Sequence, residues 1–305
     1  MSDLASQAAQ SVIGAATPLL LAATGELVVE KAGVLNLGVE GMMLIGAVAA
    51  FIVGHTTGST VPALGAAILA GAALALLFAG LALGLRANQI VCGLALTIFG
   101  RGLSALVGAG YVGLSTPVLP RLSIPGISSV PLLGTVLLSL NGLVYFSLLA
   151  LFAVSWFLRK TRWGLIVRAV GDSHDSAHAI GYAVLRIRLC AVLFGGAMAG
   201  LAGAMVSLST NPFWTPDLTA GRGWVALALV VFAAWRPLWL LAGAYLFGAI
   251  TYLSLALQAL GVAFPPSLIS ALPYAGTIVV LVLISRDRRR IRLHRPAMLG
   301  KAMDL

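Results

Sequence analysis

The chain is a series of long apolar runs separated by short polar stretches. A helix needs about 20 residues to cross the roughly 30 Å hydrocarbon core of a bilayer. Nine runs approach or exceed that length, at residues 9–25, 38–54, 61–84, 90–108, 137–158, 188–208, 220–235, 238–257 and 267–284. The pattern predicts an all-α fold, a polytopic transmembrane helical bundle with about eight to ten spans.

A charge and a proline interrupt the longest apolar stretch at Trp235, Arg236 and Pro237. Without a break, a helix from Trp224 to Leu257 would be about 50 Å long, which is too long for the membrane core. Proline removes a helical hydrogen bond, so we expect the chain to turn here. The split also places all basic clusters on one side, which the positive-inside rule identifies as cytoplasmic. The N-terminus then lies outside and the C-terminus in the cytoplasm.

Composition agrees with a membrane protein. The chain is 60% hydrophobic and only 9% charged, whereas soluble domains contain about 25% charged residues. The net charge of +10 would favour nucleic-acid binding in a soluble chain, but here the basic residues collect in short cytoplasmic segments. We predict a single transmembrane domain over residues 1–305, with a cytoplasmic loop at 159–188, a basic tail at 286–305 and no cleaved signal peptide.

Polar residues cluster at residues 26–46, between the first two apolar runs. Charged groups are costly in hydrocarbon, so each of them needs a partner or a function. We interpret Glu26, Glu30 and Lys31 as a cytoplasmic turn between two helices. Glu40 has two interpretations: it caps or hydrogen-bonds inside the bundle, or it lines a passage through the membrane.

Amide, hydroxyl and aromatic side chains in an apolar cavity suit a neutral, polar solute. The candidates for such a substrate pathway are Asn36, Glu40, Asn88, Gln89, Thr97 and Phe99. Asn88 and Gln89 are equally well explained as interface residues that cap the fourth helix. Trp214 and Trp224 are candidates for the outer mouth, where an aromatic belt would also place tryptophan.

The largest cytoplasmic loop, at 159–188, contains a short predicted helix. Gly171 ends the preceding stretch, Asp172 occupies the N-cap position, and Asp175 completes a pair that resembles a capping box. Gly181 follows as the C′ glycine. A helix of about eight residues is only about 12 Å long, so it lies at the membrane surface. It either connects two spans or docks a cytosolic partner.

Other features are less specific. Two outer loops at 110–134 and 210–223 contain several prolines, which stiffen the backbone for a docking partner or simply for a loop. Cys92 and Cys190 both lie in apolar runs, where we expect packing rather than a disulfide.

Three stretches resemble a known family. Residues 161–188 resemble the coupling region of ATP-binding-cassette (ABC) importer permeases of the branched-chain amino acid, ribose and nucleoside group. Their pattern of an acidic residue, two small residues, three variable residues and glycine falls on residues 175–181, with Asp and Ser where Glu and Ala are usual. Residues 30–47 and 88–103 resemble the two signatures of the nucleoside-type, simple-sugar-like branch, and residues 199–205 and 223–228 extend the match.

This resemblance implies a permease subunit of an ATP-driven importer in the bacterial inner membrane, for nucleosides or related purines. The alternatives are ribose-type sugars and branched-chain amino acids. It implies a cytosolic ATPase that binds ATP and Mg²⁺, a second permease subunit that is identical or related, and an extracytoplasmic solute-binding protein. No cofactor is expected in this chain. The residues expected to contact the ATPase are Asp172, Asp175, Ser176, Ala177, His178, Ala179 and Gly181.

Other function classes are disfavoured. The chain has no G-x-x-x-x-G-K-[ST] motif, so ATP hydrolysis is assigned to a partner. An ion-coupled transporter would place several carboxylates or histidines at mid-membrane, where only Glu40 and Arg101 are candidates. The histidines are scattered and the acidic residues form no catalytic pair, so we predict neither catalytic residues nor a metal site.

Overall fold

A computed structural model of the chain describes residues 2–121, 140–259, 275–276 and 295–301. Within these ranges the fold is a helical bundle, and seven of its helices are long and apolar enough to cross a membrane. The α-helices are α1 (Ser2–Lys31), α2 (Val39–Thr57), α3 (Thr60–Ala79), α4 (Gln89–Gly108), α5 (Gly142–Lys160), α6 (Arg162–Asp172), α7 (His174–Ala179), α8 (Val184–Met205), α9 (Arg222–Phe232) and α10 (Pro237–Ala259).

The predicted bundle is confirmed, and the predicted break between the seventh and eighth runs is confirmed in position. Helix α9 ends at Phe232, and Pro237 begins α10. Ala234 and Trp235 adopt positive φ in the turn between them. The predicted span at 267–284 lies, except for residues 275–276, outside the described residues. The same holds for residues 122–134 of the first outer loop and for most of the tail.

The first helix is longer than its apolar run indicates. Helix α1 continues to Lys31, so the interpretation of Glu26, Glu30 and Lys31 as an inter-helix turn is wrong. The turn instead occupies residues 32–38. The helix tolerates both carboxylates because each finds a hydrogen-bond donor elsewhere in the bundle.

Helix α9 is too short to cross the membrane by itself. Its 11 residues extend for about 16 Å, roughly half of the hydrocarbon core. The predicted span at 220–235 is therefore a half-helix, preceded by the irregular segment 211–221. Hydropathy alone did not separate these two forms, because the turn that follows α9 continues the apolar run with the buried residues Ala233, Ala234 and Trp235.

Glycines let the central helix α8 approach its neighbours closely. A Cβ added to Gly46 of α2 would lie 2.4 Å from the Cα of Gly200 on α8. One added to Gly71 of α3 would lie 2.2 Å from the carbonyl oxygen of Gly196. Helices in lipid associate through such close contacts, because lipid supplies little hydrophobic drive for their association. These glycines are therefore packing positions.

We expect Gly200→Leu to lower the yield and the thermal stability of the folded protein. A Cβ at Gly200 would lie 2.1 Å from the carbonyl oxygen of Ala67, so backbone must move, and overpacking typically costs about 1–3 kcal/mol. Gly65→Leu on α3 is the control, because nothing lies within 4 Å of its added Cβ. Fluorescence-detected thermal unfolding in detergent measures both. Equal transition temperatures would contradict the packing role.

Candidate functional site

The carboxylate of Glu40 holds the N-terminus of the half-helix α9. Glu40 lies in the first turn of α2 and is only 6% exposed. Its Oε1 accepts hydrogen bonds from Thr219 Oγ1 (2.5 Å) and the Gly221 amide (2.9 Å), and its Oε2 accepts one from the Gly223 amide (2.6 Å). The first amides of a helix lack partners within the helix, and its N-terminus favours negative charge. Glu40 satisfies both requirements at once.

This junction lies deep within the bundle. Next to Glu40, Gly41 packs against the backbone of Leu96 and Thr97, near the midpoint of α4. Gly223 approaches so closely that an added Cβ would lie 2.6 Å from Glu40 Cα. Helix α9 therefore begins at mid-depth. Irregular backbone at such depth is stable only where protein groups satisfy its polar atoms.

Three of the candidate pathway residues hold the 32–38 turn. Gln89 Oε1 accepts a hydrogen bond from the Leu35 amide at 2.8 Å. Thr97 Oγ1 donates one to the Leu37 carbonyl oxygen at 2.9 Å. Asn36 is fully buried, and its Oδ1 accepts from the amide of Gly38 at 3.0 Å. These side chains thus support the backbone that leads into Glu40.

Two further carboxylates, which the sequence interpretation missed, complete this network. Glu26 Oε1 accepts from the amide of Asn36 at 3.4 Å. Glu30 Oε2 accepts from Trp235 Nε1 at 2.5 Å, in the turn that follows α9. Their four-residue spacing places both on one face of α1, and this spacing was the available signal. Carboxylates from α1 and α2 thus hold α9 at its start and just beyond its end.

The remaining candidates lie elsewhere. Asn88 Oδ1 accepts from the amides of Ile90 and Val91, so its interpretation as the cap of α4 is confirmed. Phe99 is 49% exposed on the open face of α4. Arg101, also exposed on α4, forms an ion pair with Asp217 of the 211–221 segment.

The two outer loops pair with one another. The Gly113 amide donates to the Trp214 carbonyl oxygen at 3.1 Å, and the Thr116 amide donates to that of Pro212 at 3.1 Å. Trp214 is fully buried and lies 5.7 Å from Phe51, measured between ring centroids. Trp214 is thus a packing residue that anchors the loops, while Trp224 in the first turn of α9 remains partly exposed.

The short helix of the 159–188 loop is α7, with six residues rather than about eight. Its N-cap is Ser173, whose Oγ accepts from the Ser176 amide at 3.3 Å. The assignment of Asp172 as N-cap is therefore wrong by one residue, because α6 continues through Gly171 to Asp172. Gly181 follows the helix with a φ of +94°, as predicted for a C′ glycine.

Most of the predicted ATPase contacts are accessible. Ala177 is buried at 3% exposure and fastens α7 to the bundle. The others are exposed on the same surface: Asp172, Asp175, Ser176, His178, Ala179 and Gly181.

Helix α6 rests directly on the 32–38 turn. A Cβ at Gly171 would lie 2.2 Å from the Lys31 carbonyl oxygen, so this position requires glycine for close approach rather than for ending a helix. Arg188, fully buried at the start of α8, donates from Nε to the Ala32 carbonyl oxygen at 3.1 Å. A cation at that place complements the C-terminus of α1. The loop that carries α7 is thus in contact with the turn that leads to Glu40.

Comparison with known proteins gives consistent matches over nearly the whole chain. The sequence model of a family described as "Branched-chain amino acid transport system / permease component" matches residues 8–283. The putative glucose ABC transporter permease protein TsgC13 of Haloferax volcanii is 40% identical over 95% of this chain and 94% of its own length. The guanosine ABC transporter permease protein NupQ of Bacillus subtilis is 34% identical over 87% of this chain and 88% of its own length. The nucleoside ABC transporter permease protein NupC of Lactococcus lactis is 30% identical (88% of each).

Proposed function

The chain belongs to the family of permease components of branched-chain amino acid transport systems, and from this premise we propose that it imports nucleosides or related purines. It is a multi-pass membrane permease subunit of an ABC transporter. The nucleoside substrate is supported by two relatives whose names state guanosine and nucleoside transport. Both are matched over more than four fifths of their length.

A cytosolic ATPase docks on α7 and uses it to drive the transport cycle. The observation that supports this proposal best is a continuous set of contacts that begins at the C-terminal end of α6, directly before α7. Gly171 touches the backbone of the 32–38 turn, and the turn leads into Glu40. Glu40 in turn holds the first amides of α9. A displacement of α7 is therefore transmitted through backbone contacts and buried hydrogen bonds to a half-helix at mid-depth.

The pathway runs along the open face of α4 and past the start of α9. Phe99 offers an exposed aromatic surface on α4, suited to stacking on a base. Thr97, Asn36 and Glu40 shape the wall from behind by fixing the backbone around it. The charged pair on this face, Arg101 with Asp217, is mutually neutralised, and this suits a neutral solute.

The complete importer has two permease subunits, two ATPases that bind ATP and Mg²⁺, and a solute-binding protein. The paired outer loops, stiffened by their backbone hydrogen bonds, receive the binding protein. The α7 end and the C-terminus face the cytoplasm of the inner membrane, in line with the basic clusters at 159–168 and 286–295. The whole chain functions as one permease domain.

Glucose is the second candidate substrate, because the 40% identical relative is named as a putative glucose permease. Uptake by cells that express the whole transporter decides between nucleosides and glucose as the substrate. We expect labelled guanosine to accumulate, with excess adenosine competing and excess glucose, ribose or leucine having no effect. Accumulation of glucose without any nucleoside uptake would reject the nucleoside proposal and retain the permease assignment.

A further inference from the structure

A deep groove lies between α5 and α8 at the periphery of the helical bundle, with a volume of about 960 Å³. Helix α1 forms its floor through Val28, and the two walls carry apolar side chains such as Phe157 of α5 and Phe194 of α8. Cys190 of α8 also lines it and is exposed. The groove is separate from the Glu40 site, and Gly181, one of the residues expected to contact the ATPase, lies at its edge.

The dimensions of the groove match one leaflet of a bilayer. Its lining extends from Phe146 to Phe157 on α5 and from Arg186 to Met198 on α8. At 1.5 Å per residue the two walls are about 16 and about 18 Å long, close to half of the roughly 30 Å core. The groove ends where α5 ends and α8 begins, which is the α7 end of the bundle. An acyl chain from the leaflet on that side therefore fits along its length.

The end of the groove near α7 is chemically different from the rest. Arg186 lines it and is exposed, and within the described part of the chain no carboxylate forms a salt bridge with it. Trp163 and Tyr182 line the same end, and such amphipathic rings favour the headgroup region. The adjoining turn between α5 and α6 adds the exposed cations Lys160 and Arg162.

We propose that this groove binds an anionic phospholipid, with an acyl chain between α5 and α8 and its phosphate at Arg186. Charge complementarity selects this occupant, because basic pockets between transmembrane helices hold anionic headgroups. A second copy of the chain would bring the same basic loop to the same surface and meet like charge. A wholly apolar partner would leave the guanidinium of Arg186 without an anion.

Native mass spectrometry of the full-length chain in detergent tests the proposal. The probes are palmitoyl-oleoyl phosphatidylglycerol and the phosphatidylcholine with identical chains, each added at equal concentration. We expect the wild type to retain phosphatidylglycerol in preference to phosphatidylcholine. Arg186→Gln should weaken that retention about fivefold, the effect of one basic residue at an anionic surface, and Arg186→Lys should restore it. Arg86→Gln, which alters a basic residue that does not line the groove, is the control.

A second variant tests the apolar part of the groove independently of charge. Ala153→Phe places a ring between the walls and should remove retention of both lipids, whereas Ala73→Phe, on an exposed face of α3, should not. Thermal unfolding verifies that each variant is folded. Equal retention of the two lipids by the wild type, or equal loss in the Arg186 and Arg86 variants, would overturn the proposal. A disulfide between two chains through Cys190 in native membranes would also overturn it, because a second copy would then cover the groove.

Discussion

Glu40→Gln is expected to reduce solute uptake more than tenfold while the protein still inserts into the membrane. The amide would turn an NH₂ group toward the amide of Gly221 or Gly223, so one of the three hydrogen bonds to the carboxylate is replaced by a donor–donor contact. Hydrogen bonds to charged groups contribute about 1.5–3 kcal/mol each, and the interaction of the carboxylate with the helix N-terminus adds to this. Uptake of labelled solute, normalised to the amount of folded transporter, measures the effect.

Asp217→Asn is the comparison for this prediction. It also converts a carboxylate to an amide, within the 211–221 segment that leads into α9, but Asp217 and its partner Arg101 are both partly exposed. Exposed ion pairs contribute only about 0–1 kcal/mol, so we expect a loss of less than threefold. Thr219→Val should lie between the two, since it removes one donor and keeps the charge of Glu40. Wild-type uptake by Glu40→Gln would show that α9 needs no fixed carboxylate.

Ala177→Pro is expected to abolish uptake and to prevent the ATPase from co-purifying with the permease. The amide of Ala177 donates to the Ser173 carbonyl oxygen at 3.1 Å. Proline removes this donor and clashes with that carbonyl, at a cost of about 3 kcal/mol or more. With only six residues, α7 is shorter than two turns, so few other backbone hydrogen bonds can hold the helix together once this one is lost. Membrane yield should stay near wild type, because the substitution lies outside the seven candidate spans.

Ala177→Gly is the matched control for the proline variant. Glycine keeps the amide and its hydrogen bond and costs about 1 kcal/mol in a helix interior, so most of the uptake should remain. If Ala177→Pro still transported solute and still bound the ATPase, docking would have to occur away from residues 172–181. If both variants lost uptake but kept the ATPase, Ala177 would matter for packing against the bundle rather than for docking.

Features that depend on neighbouring residues were predicted well. The break before Pro237, the glycine after α7 and the cap at Asn88 are all confirmed, because local backbone chemistry decides them. Cys92 is buried, as its predicted packing role requires, whereas Cys190 is exposed on the wall of the groove between α5 and α8. The cap at Asp172 was predicted wrongly because Gly171 has two uses. Glycine ends helices, but here it lets α6 touch α1.

Features that depend on distant partners were not predicted. Glu26 and Glu30 are too polar for an isolated membrane helix, so the sequence interpretation moved them to a turn. They remain in α1 because Asn36 and Trp235 supply donors to them inside the bundle. The polar stretch at 26–46 therefore begins within α1 and ends within α2, and its Glu40 lies at the junction with α9.

By itself, the sequence determined that the chain is a helical membrane protein, where most of its helices lie, and the family to which it belongs. Partition between water and lipid acts on each apolar run separately, so hydropathy is sufficient to locate the helices. The sequence motifs, rather than hydropathy, indicated the family. Only the tertiary structure decided that α9 is a half-helix beginning at mid-depth and that Glu40 holds its first amides. Glu40 and Gly223 are 183 residues apart in the chain. In a bundle where lipid contacts and helix contacts are equally apolar, the pattern along the chain does not record which polar groups meet.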